Sequence, residues 1–188
     1  MSIYIVDQVF ESVDFSTKEL SKEYEQCTFN NCQFNAVNLS EIAFTDCAFN
    51  GCDLGMATLK ETALRDVQFK DCRLTGVRFE DCNDFLFKID FVACDLSLVS
   101  FYQFELPHTL FKDCNLSEVD FAYANLESCN FEGSRLLSAK FEQTNLKKAD
   151  FREANHYSIN PALNKLSKAK FSRDGLIGLL DTLDIEIE

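Results

Sequence analysis

The chain has 188 residues, of which 46% are hydrophobic and 26% are charged, a composition that fits one globular domain with a sizeable core. Its 31 acidic residues against 18 Lys and Arg give a net charge of −13, which argues against nucleic acid and anionic membranes as partners and favours a basic partner or simple solubility. No apolar stretch approaches the roughly 20 residues that a membrane helix needs. We therefore expect a soluble, cytoplasmic protein with no membrane and no nucleic-acid partner.

The N-terminal segment, residues 1–22, precedes the regular part of the sequence. Its first apolar run follows no basic residue and is interrupted by Asp7, so it is not typical of a secretory signal peptide. We expect this segment to cap the structure that follows it.

A period of five residues begins at Tyr24. Large apolar residues occupy Tyr24, Phe29, Phe34, Leu39, Phe44, Phe49, Leu54, Leu59, Leu64, Phe69, Leu74 and Phe79, and after a shift of phase Leu86, Phe91, Leu96, Phe101, Leu106, Phe111, Leu116, Phe121, Leu126, Phe131, Leu136, Phe141, Leu146 and Phe151. Two residues before most of them lies a small or modest apolar side chain, such as Cys27 or Val37. A helix would need a spacing near 3.6 residues and a regular strand a spacing of 2. The pattern instead favours a chain that turns a corner every five residues.

A longer period of twenty residues lies within the short one. Phe29, Phe49 and Phe69 are twenty residues apart, and the same spacing continues from Phe91 to Phe171 after one interval of 22. Four five-residue units therefore make one turn, and equivalent residues of successive coils should stack at about 4.8 Å, the spacing of paired strands. This predicts a β-helix over residues 23–171 with a two-residue insertion near residues 83–85.

The repeating unit carries a small residue, then Asp or Asn, then Leu or Phe, then a polar residue and any residue, as in residues 124–128 and 149–153. It resembles the A(D/N)LXX repeat of the pentapeptide-repeat family, whose members are right-handed quadrilateral β-helices. The predicted fold class is accordingly all-β: a right-handed quadrilateral β-helix, or pentapeptide-repeat solenoid, with a short C-terminal capping helix.

The C-terminal segment, residues 172–188, is expected to form a helix of about three turns followed by a closing strand over residues 184–188. Its apolar stripe indicates an amphipathic helix, and Asp174 suits the positive end of the helix dipole. In one interpretation the segment only covers the open end of the β-helix. In the other it also pairs with a second copy of the chain. The second interpretation assigns a dimer interface to Leu176, Ile177, Leu179, Leu180, Leu183 and Ile185.

Residues 155–161, 164–172 and 175–187 are also similar to the C-terminal region of a narrower group, which holds the Qnr quinolone-resistance proteins and the albicidin- and microcin-immunity proteins. That resemblance implies a homodimer formed through the C-terminal segment. It also implies an acidic rod that mimics duplex DNA and binds DNA gyrase or topoisomerase IV. The long loops of Qnr proteins are missing from this chain, which has only the two-residue insertion.

The acidic residues suggest a surface that could bind a partner. At the last position of a unit, Glu41, Glu61 and Asp81 are expected to stack, with Asp46 and Asp66 just after the first two. Stacked like charges cost stability, and their spacing is of the same order as the roughly 3.4 Å rise of phosphates along one DNA strand. The predicted partner-binding residues are Glu41, Asp46, Glu61, Asp66, Glu80, Asp81 and Asp84.

Two hypotheses of function remain open from the sequence. The first is a DNA-mimicking protein that binds DNA gyrase or topoisomerase IV and protects it from quinolones or peptide toxins. The second is a structural or protein-interaction module with an unidentified partner and no topoisomerase role. The acidic columns could equally form a solvated surface, and Lys60, Arg65 and Arg78 dilute their charge.

Enzymatic chemistry has no support in the sequence. The nine cysteines occupy the small inward position of the unit, so we expect them to be reduced core residues. His108 and His156 are 48 residues apart, and no serine elbow, glycine-rich phosphate loop or zinc-protease motif surrounds either of them. We predict no catalytic residue, no metal site and no cofactor.

Overall fold

The computed structural model describes residues 4–183 and 185–186. Ten short strands form two parallel sheets, with the strand orders β1-β3-β5-β7 and β10-β9-β8-β6-β4-β2. The strands are β1 (Tyr4–Val6), β2 (Val9–Glu11), β3 (Glu23–Glu25), β4 (Thr28–Asn30), β5 (Ala43–Thr45), β6 (Ala48–Asn50), β7 (Ala63–Arg65), β8 (Val67–Lys70), β9 (Ile89–Val92) and β10 (Phe111–Lys112). Two 3-10 helices cover Phe79–Asp81 and Asp174–Leu179.

The pairing between coils has the predicted period of twenty residues. Tyr24 pairs with Phe44 and Phe29 with Phe49. Towards the C-terminus the coils pair through isolated bridges, which keep the same interval as far as Asp150 and Lys170. The predicted fold class, an all-β right-handed quadrilateral β-helix, is confirmed. Within the described residues, no helix is long and apolar enough to cross a membrane.

The N-terminal segment has the pairing of a coil. Strands β1 and β2 pair with β3 and β4, so that Tyr4 lies opposite Glu23 and Phe10 opposite Phe29. The interval here is nineteen residues, one fewer than in the repeats that follow. The segment predicted as a cap therefore extends the parallel sheets to the N-terminal end of the β-helix.

One column of aromatic rings runs through the whole core. Each ring from Phe10 to Phe171 stacks on the equivalent ring of the next coil, with centroids 4.6–5.5 Å apart and ring planes within 20° of parallel. The column consists of Phe10, Phe29, Phe49, Phe69, Phe91, Phe111, Phe131, Phe151 and Phe171. Such offset stacks contribute about 0.5–1.5 kcal/mol per pair beyond the burial of apolar area.

The small inward position often carries a side-chain donor. Cys52 Sγ donates to the carbonyl of Phe29 at 3.2 Å, and Ser134 Oγ donates to the carbonyl of Phe111 at 2.9 Å. All nine cysteines are buried and free, as the sequence predicted. Burial raises the pKa of Cys47 to about 12, so this thiol stays protonated at neutral pH. The cysteines thus fill the core and hydrogen-bond to it.

Corners of the β-helix adopt the left-handed conformation. Among the described residues, twenty-five other than glycine have φ between 51° and 67°, nearly always at the last position of a unit. This conformation costs an ordinary residue about 1–2 kcal/mol. The backbone N–H of a corner residue donates to a carbonyl of the next coil, as Asp46 does to Arg65 at 2.9 Å. These hydrogen bonds between coils hold the strained corners in place.

The two-residue insertion lies between Asn83 and Ile89, where the pairing interval changes from 20 to 22. The five-residue pattern placed Leu86 in the core, and this was wrong: Leu86 is 66% exposed and adopts the left-handed conformation of a corner. Phe87 packs against the core in its place, with its ring centroid 4.7 Å from that of Phe104. Phe104 fills the space because it is large at a position that is small in other coils.

The C-terminal helix is shorter than predicted. It is a six-residue 3-10 helix, and its Gly175 and Gly178 lie directly against Tyr157, where a Cβ atom would overlap that residue. Glycine also disfavours a longer α-helix. The amide of Ile159 donates to the carbonyl of Gly178 at 2.8 Å and fastens the helix to the last coil. Of the predicted closing strand over 184–188, only residues 185 and 186 are described, and neither lies in a strand.

We predict that Phe111→Ala destabilises the protein by about 3–5 kcal/mol, because it opens a cavity in the middle of the ring column. Phe111 is fully buried and stacks on both Phe91 and Phe131. Phe85→Ala is the matched control, since Phe85 is 66% exposed and its loss should cost well under about 1 kcal/mol. Urea unfolding followed by circular dichroism measures both. Equal losses in the two variants would show that the column does not carry the stability of the fold.

Candidate partner-binding surface

Two acidic columns follow neighbouring corners of the β-helix. Glu41, Glu61 and Asp81 stack along one corner, where the amide of Glu61 donates to the carbonyl of Asp81 at 2.8 Å. Asp46 and Asp66 stack along the next corner. We call these the first and second acidic columns. Five of the seven predicted residues therefore lie along the two edges of a single face.

The face between the columns is formed by β5 and β7. Its outward side chains are short, namely those of Ala43, Thr45 and Ala63, with Arg65 as the exception. Arg65 is therefore the one long side chain of these two strands between the acidic columns.

Some of the column charges are paired within the chain. Lys22 Nζ lies 3.6 Å from a carboxylate oxygen of Glu41, and Lys88 forms an ion pair with Asp66. Asp46 and Glu61 are both exposed, and neither forms an ion pair with another described residue. Exposed pairs of this kind contribute about 0–1 kcal/mol, so they leave the columns available to a partner.

The remaining two predicted residues lie outside the columns. The Glu80 side chain is only 15% exposed, and Arg78 lies 3.2 Å from it and 3.4 Å from Asp81. One carboxylate oxygen of Glu80 is buried and has no hydrogen-bond partner among the described residues. Asp84 is exposed at the start of the insertion. Glu80 is thus mostly buried and paired with Arg78, and it contributes little to the exposed acidic surface.

A groove of about 350 Å³ runs along the second acidic column. Asp46 and Asp66 line it together with Gln68, Lys88 and Asp90. Asp90 also accepts a hydrogen bond from the backbone amide of Leu110 at 2.8 Å. The sequence pattern missed Asp90, since it is an outward strand residue of the neighbouring face. Three carboxylates against one ammonium make this groove suitable for a basic side chain.

Charge is unevenly distributed along the β-helix. Residues 1–100 carry 17 Asp and Glu against 8 Lys and Arg, whereas residues 101–188 carry 14 against 10. The corner that carries Asp46 and Asp66 continues towards the C-terminus with Lys148 and Lys168. Both lysines are exposed, and Lys148 pairs with Glu127 at 2.7 Å. The strongly acidic surface therefore belongs to the N-terminal half alone.

The insertion places apolar side chains beside the acidic face. Phe85 and Leu86 are each 66% exposed, and the Arg65 guanidinium lies 6.0 Å from the centre of the Phe85 ring. Exposed large apolar residues next to charges are typical of contact sites. Sequence reasoning missed this pair, because the five-residue pattern assigned Leu86 to the core.

The six predicted dimer residues separate into two groups. Leu179 packs against the core and Leu180 is half-buried. The other four are 47–58% exposed at the C-terminal end, namely Leu176, Ile177, Leu183 and Ile185. Dimerisation through these residues stays a prediction. The described part of the chain contains no group of three or more His, Cys, Asp or Glu that could hold a metal ion.

Comparison with known families agrees with this architecture. A sequence profile described as "Pentapeptide repeat region" matches residues 22–84 and 85–160. The chain belongs to the pentapeptide-repeat family. The junction between the two matched stretches coincides with the insertion around Phe85. No match was found among curated protein sequences.

Solved structures of pentapeptide-repeat proteins share this fold. A trypsin-treated variant of QnrB1, a plasmid-mediated fluoroquinolone resistance protein, aligns with 18% identity and a TM-score of 0.63 over 98% of this chain and 97% of its own. HetL from the cyanobacterium Nostoc sp. strain PCC 7120, which is involved in the regulation of heterocyst differentiation, aligns with 17% identity and a TM-score of 0.58 over 90% of this chain and 84% of its own. At these identities the similarity demonstrates the fold alone.

We predict that Asp46→Asn stabilises the protein at low salt by a few tenths of a kcal/mol, because it removes the repulsion from Asp66 one coil away. Asp71→Asn is the matched control. Asp71 has the same corner conformation, but its column neighbours are Gly51 and Ala93. Urea unfolding at roughly 20 mM and 500 mM NaCl measures the difference, which should shrink at high salt. A gain of the same size in both variants would mean that the stacked carboxylates do not repel each other.

Proposed function

We propose that this protein binds a type II topoisomerase, DNA gyrase or topoisomerase IV, as a mimic of duplex DNA, and thereby protects the enzyme from quinolones or peptide toxins. The role is one of binding rather than catalysis, and it would be exercised in the cytoplasm. The observation that carries the proposal is the pair of acidic columns along the edges of one face, Glu41, Glu61 and Asp81 on one side and Asp46 and Asp66 on the other.

The spacing of these charges suits a protein surface built to hold DNA. Successive coils place carboxylates about 4.8 Å apart, against about 3.4 Å between phosphates of one DNA strand. A basic surface gains affinity for DNA because its contacts release the cations condensed on the phosphates. We expect a regular row of carboxylates to act in a similar way. Two rows on one rigid face resemble the two phosphate rows of a duplex more closely than scattered surface charges do.

The structural comparisons give this fold two different biological roles. QnrB1 is described as a plasmid-mediated fluoroquinolone resistance protein. HetL has the same fold and a regulatory role in differentiation. The alternative is therefore a structural or protein-interaction module with an unidentified partner and no topoisomerase role. The acidic face favours the first function, because neutral outward faces would suffice for a general scaffold.

We predict that the protein restores DNA supercoiling by gyrase in the presence of ciprofloxacin. A variant with Glu41→Gln, Asp46→Asn, Glu61→Gln and Asp66→Asn should need at least about tenfold more protein for the same effect, because each lost charge removes one counterion-releasing contact. The measurement is a gel-based supercoiling assay over a range of protein and salt concentrations.

The matched control neutralises two Asp and two Glu on the other two corners, namely Asp71→Asn, Asp113→Asn, Glu118→Gln and Glu153→Gln. It should protect gyrase as well as the unchanged protein does. Equal losses in the two variants would assign the effect to net charge and contradict a specific face. Absence of both protection and gyrase binding at micromolar concentration, with albicidin and a microcin tested as well, would favour the interaction module.

We also propose a homodimer formed through the C-terminal end. Four exposed apolar side chains gather there, and Leu179 anchors the segment to the core. An isologous pairing of two such ends would cover them and lengthen the rod.

We predict that Ile177→Asp yields monomers, because it places a charge in the centre of this apolar group. Leu98→Asp is the matched control: Leu98 is 56% exposed, close to the 58% of Ile177, but lies on a corner in the middle of the β-helix. Size-exclusion chromatography with light scattering measures the mass. An unchanged mass of the Ile177→Asp variant, or a monomeric unsubstituted protein, would contradict the proposed interface.

A further inference from the structure

A second groove lies at the C-terminal end, between the last coil and the 3-10 helix Asp174–Leu179. It has a volume of about 500 Å³. Its lining includes apolar side chains and two carboxylates, namely Leu137, Tyr157, Ile177, Asp174 and Asp181. None of these residues belongs to the acidic columns. The groove is therefore a separate feature of the molecule.

Tyr157 gives this groove an unsatisfied hydrogen-bonding group. The residue is only 5% exposed, and its hydroxyl has no hydrogen-bond partner among the described residues. The hydroxyl lies beside Gly175, which also lines the groove. Burial raises the pKa of Tyr157, so the phenol is neutral at physiological pH and can donate or accept a hydrogen bond. A buried hydroxyl without a partner is costly, so a ligand that reaches it gains affinity.

The charges around the groove select the ligand. Asp174 and Asp181 are exposed, and neither forms an ion pair with another described residue. Among the described residues, His156 also lines the groove, but no lysine or arginine does. Its apolar part includes Leu137, Ala154, Ile177 and the Tyr157 ring. Anions would be repelled by the two carboxylates, whereas a cation with a hydrocarbon stem would satisfy both parts of the lining.

We propose that this groove binds an organic cation with an apolar stem. Its charged head is a guanidinium or a primary ammonium group, like the end of an arginine or lysine side chain. The cationic head lies between Asp174 and Asp181, and one of its N–H groups donates to the Tyr157 hydroxyl. The stem covers Leu137 and Ile177. The same chemistry occurs in free alkylamines and in basic side chains of proteins, and the test separates these two sources.

The test is an NMR titration of the full chain, following the backbone amides of Gly175 and Gly178. The probes are n-butylguanidinium for a free cation, the capped peptide acetyl-Ala-Arg-Ala-amide for a protein side chain, and pentanamide as the neutral comparison. We expect saturable shifts with one or both cations and none with pentanamide. Shifts that rise linearly, or that NaCl reproduces at the same ionic strength, would overturn the proposal.

Substitutions then test the assignment of the site. Tyr157→Phe should weaken binding about tenfold, since a hydrogen bond to a charged group is lost, and Asp174→Asn should weaken it as well. Tyr102→Phe, on a tyrosine far along the chain, is the control and should bind normally. Because the Tyr157 hydroxyl has no partner, Tyr157→Phe should keep or raise the melting temperature, which excludes unfolding as the cause. Unchanged affinity in Tyr157→Phe would overturn the proposal.

The dimer and the groove share Ile177, so the titration is repeated on the Leu183→Asp variant. Leu183 is exposed and does not line the groove. Equal affinity in this variant supports a site within one chain, whereas loss of binding would overturn it in favour of a site that needs the second copy. Neither result depends on topoisomerase binding, which the supercoiling assay tests separately.

Discussion

The hydrogen bonds between successive coils are the constraint on which the rest of the structure depends. Most corner residues donate their N–H to a carbonyl of the next coil, and the strands pair in parallel at an interval of twenty residues except at the N-terminal coil and at the insertion. Residues twenty positions apart must therefore lie directly above one another. Inside, this places ring on ring from Phe10 to Phe171. Outside, it places carboxylate on carboxylate, as at Glu41 and Glu61. The core and the candidate binding surface therefore both follow from this ladder of hydrogen bonds between coils.

The ladder also explains why the acidic face is costly and still stable. Corner residues such as Asp46 adopt a left-handed conformation and lie close to a like charge in the next coil. Both effects oppose folding, by about 1–2 kcal/mol for the backbone and somewhat less for the repulsion. In each coil, the buried ring column and the hydrogen bonds of the small inward residues stabilise the folded state and offset these two unfavourable effects. Local repulsion is therefore tolerated, and the surface charge can vary between the two halves without changing the fold.

The C-terminal end shows how the ladder stops. Gly175 and Gly178 allow the 3-10 helix to lie directly on Tyr157, and the amide of Ile159 hydrogen-bonds to the helix. This close contact buries the Tyr157 hydroxyl without a hydrogen-bond partner in the described part of the chain and leaves a groove beside two carboxylates. The same end carries four exposed apolar side chains. A terminus that only covered the core would need neither feature, so both are candidates for contacts outside the chain.

The sequence by itself determined the period, the four-unit coil, the identity of the stacked columns and the existence of the insertion, because a strict repeat admits one way to place equivalent residues. It also predicted the acidic corners, since they follow from the same register. Only the tertiary structure decided where the repeat fails. Leu86 left the core because two extra residues moved it to a corner, while Phe87 and Phe104 filled the space. The terminal helix packs its glycines directly against Tyr157, and Glu80 is screened by Arg78. These outcomes depend on contacts between side chains of different coils. Such contacts do not recur at a regular spacing, so the sequence pattern could not predict them.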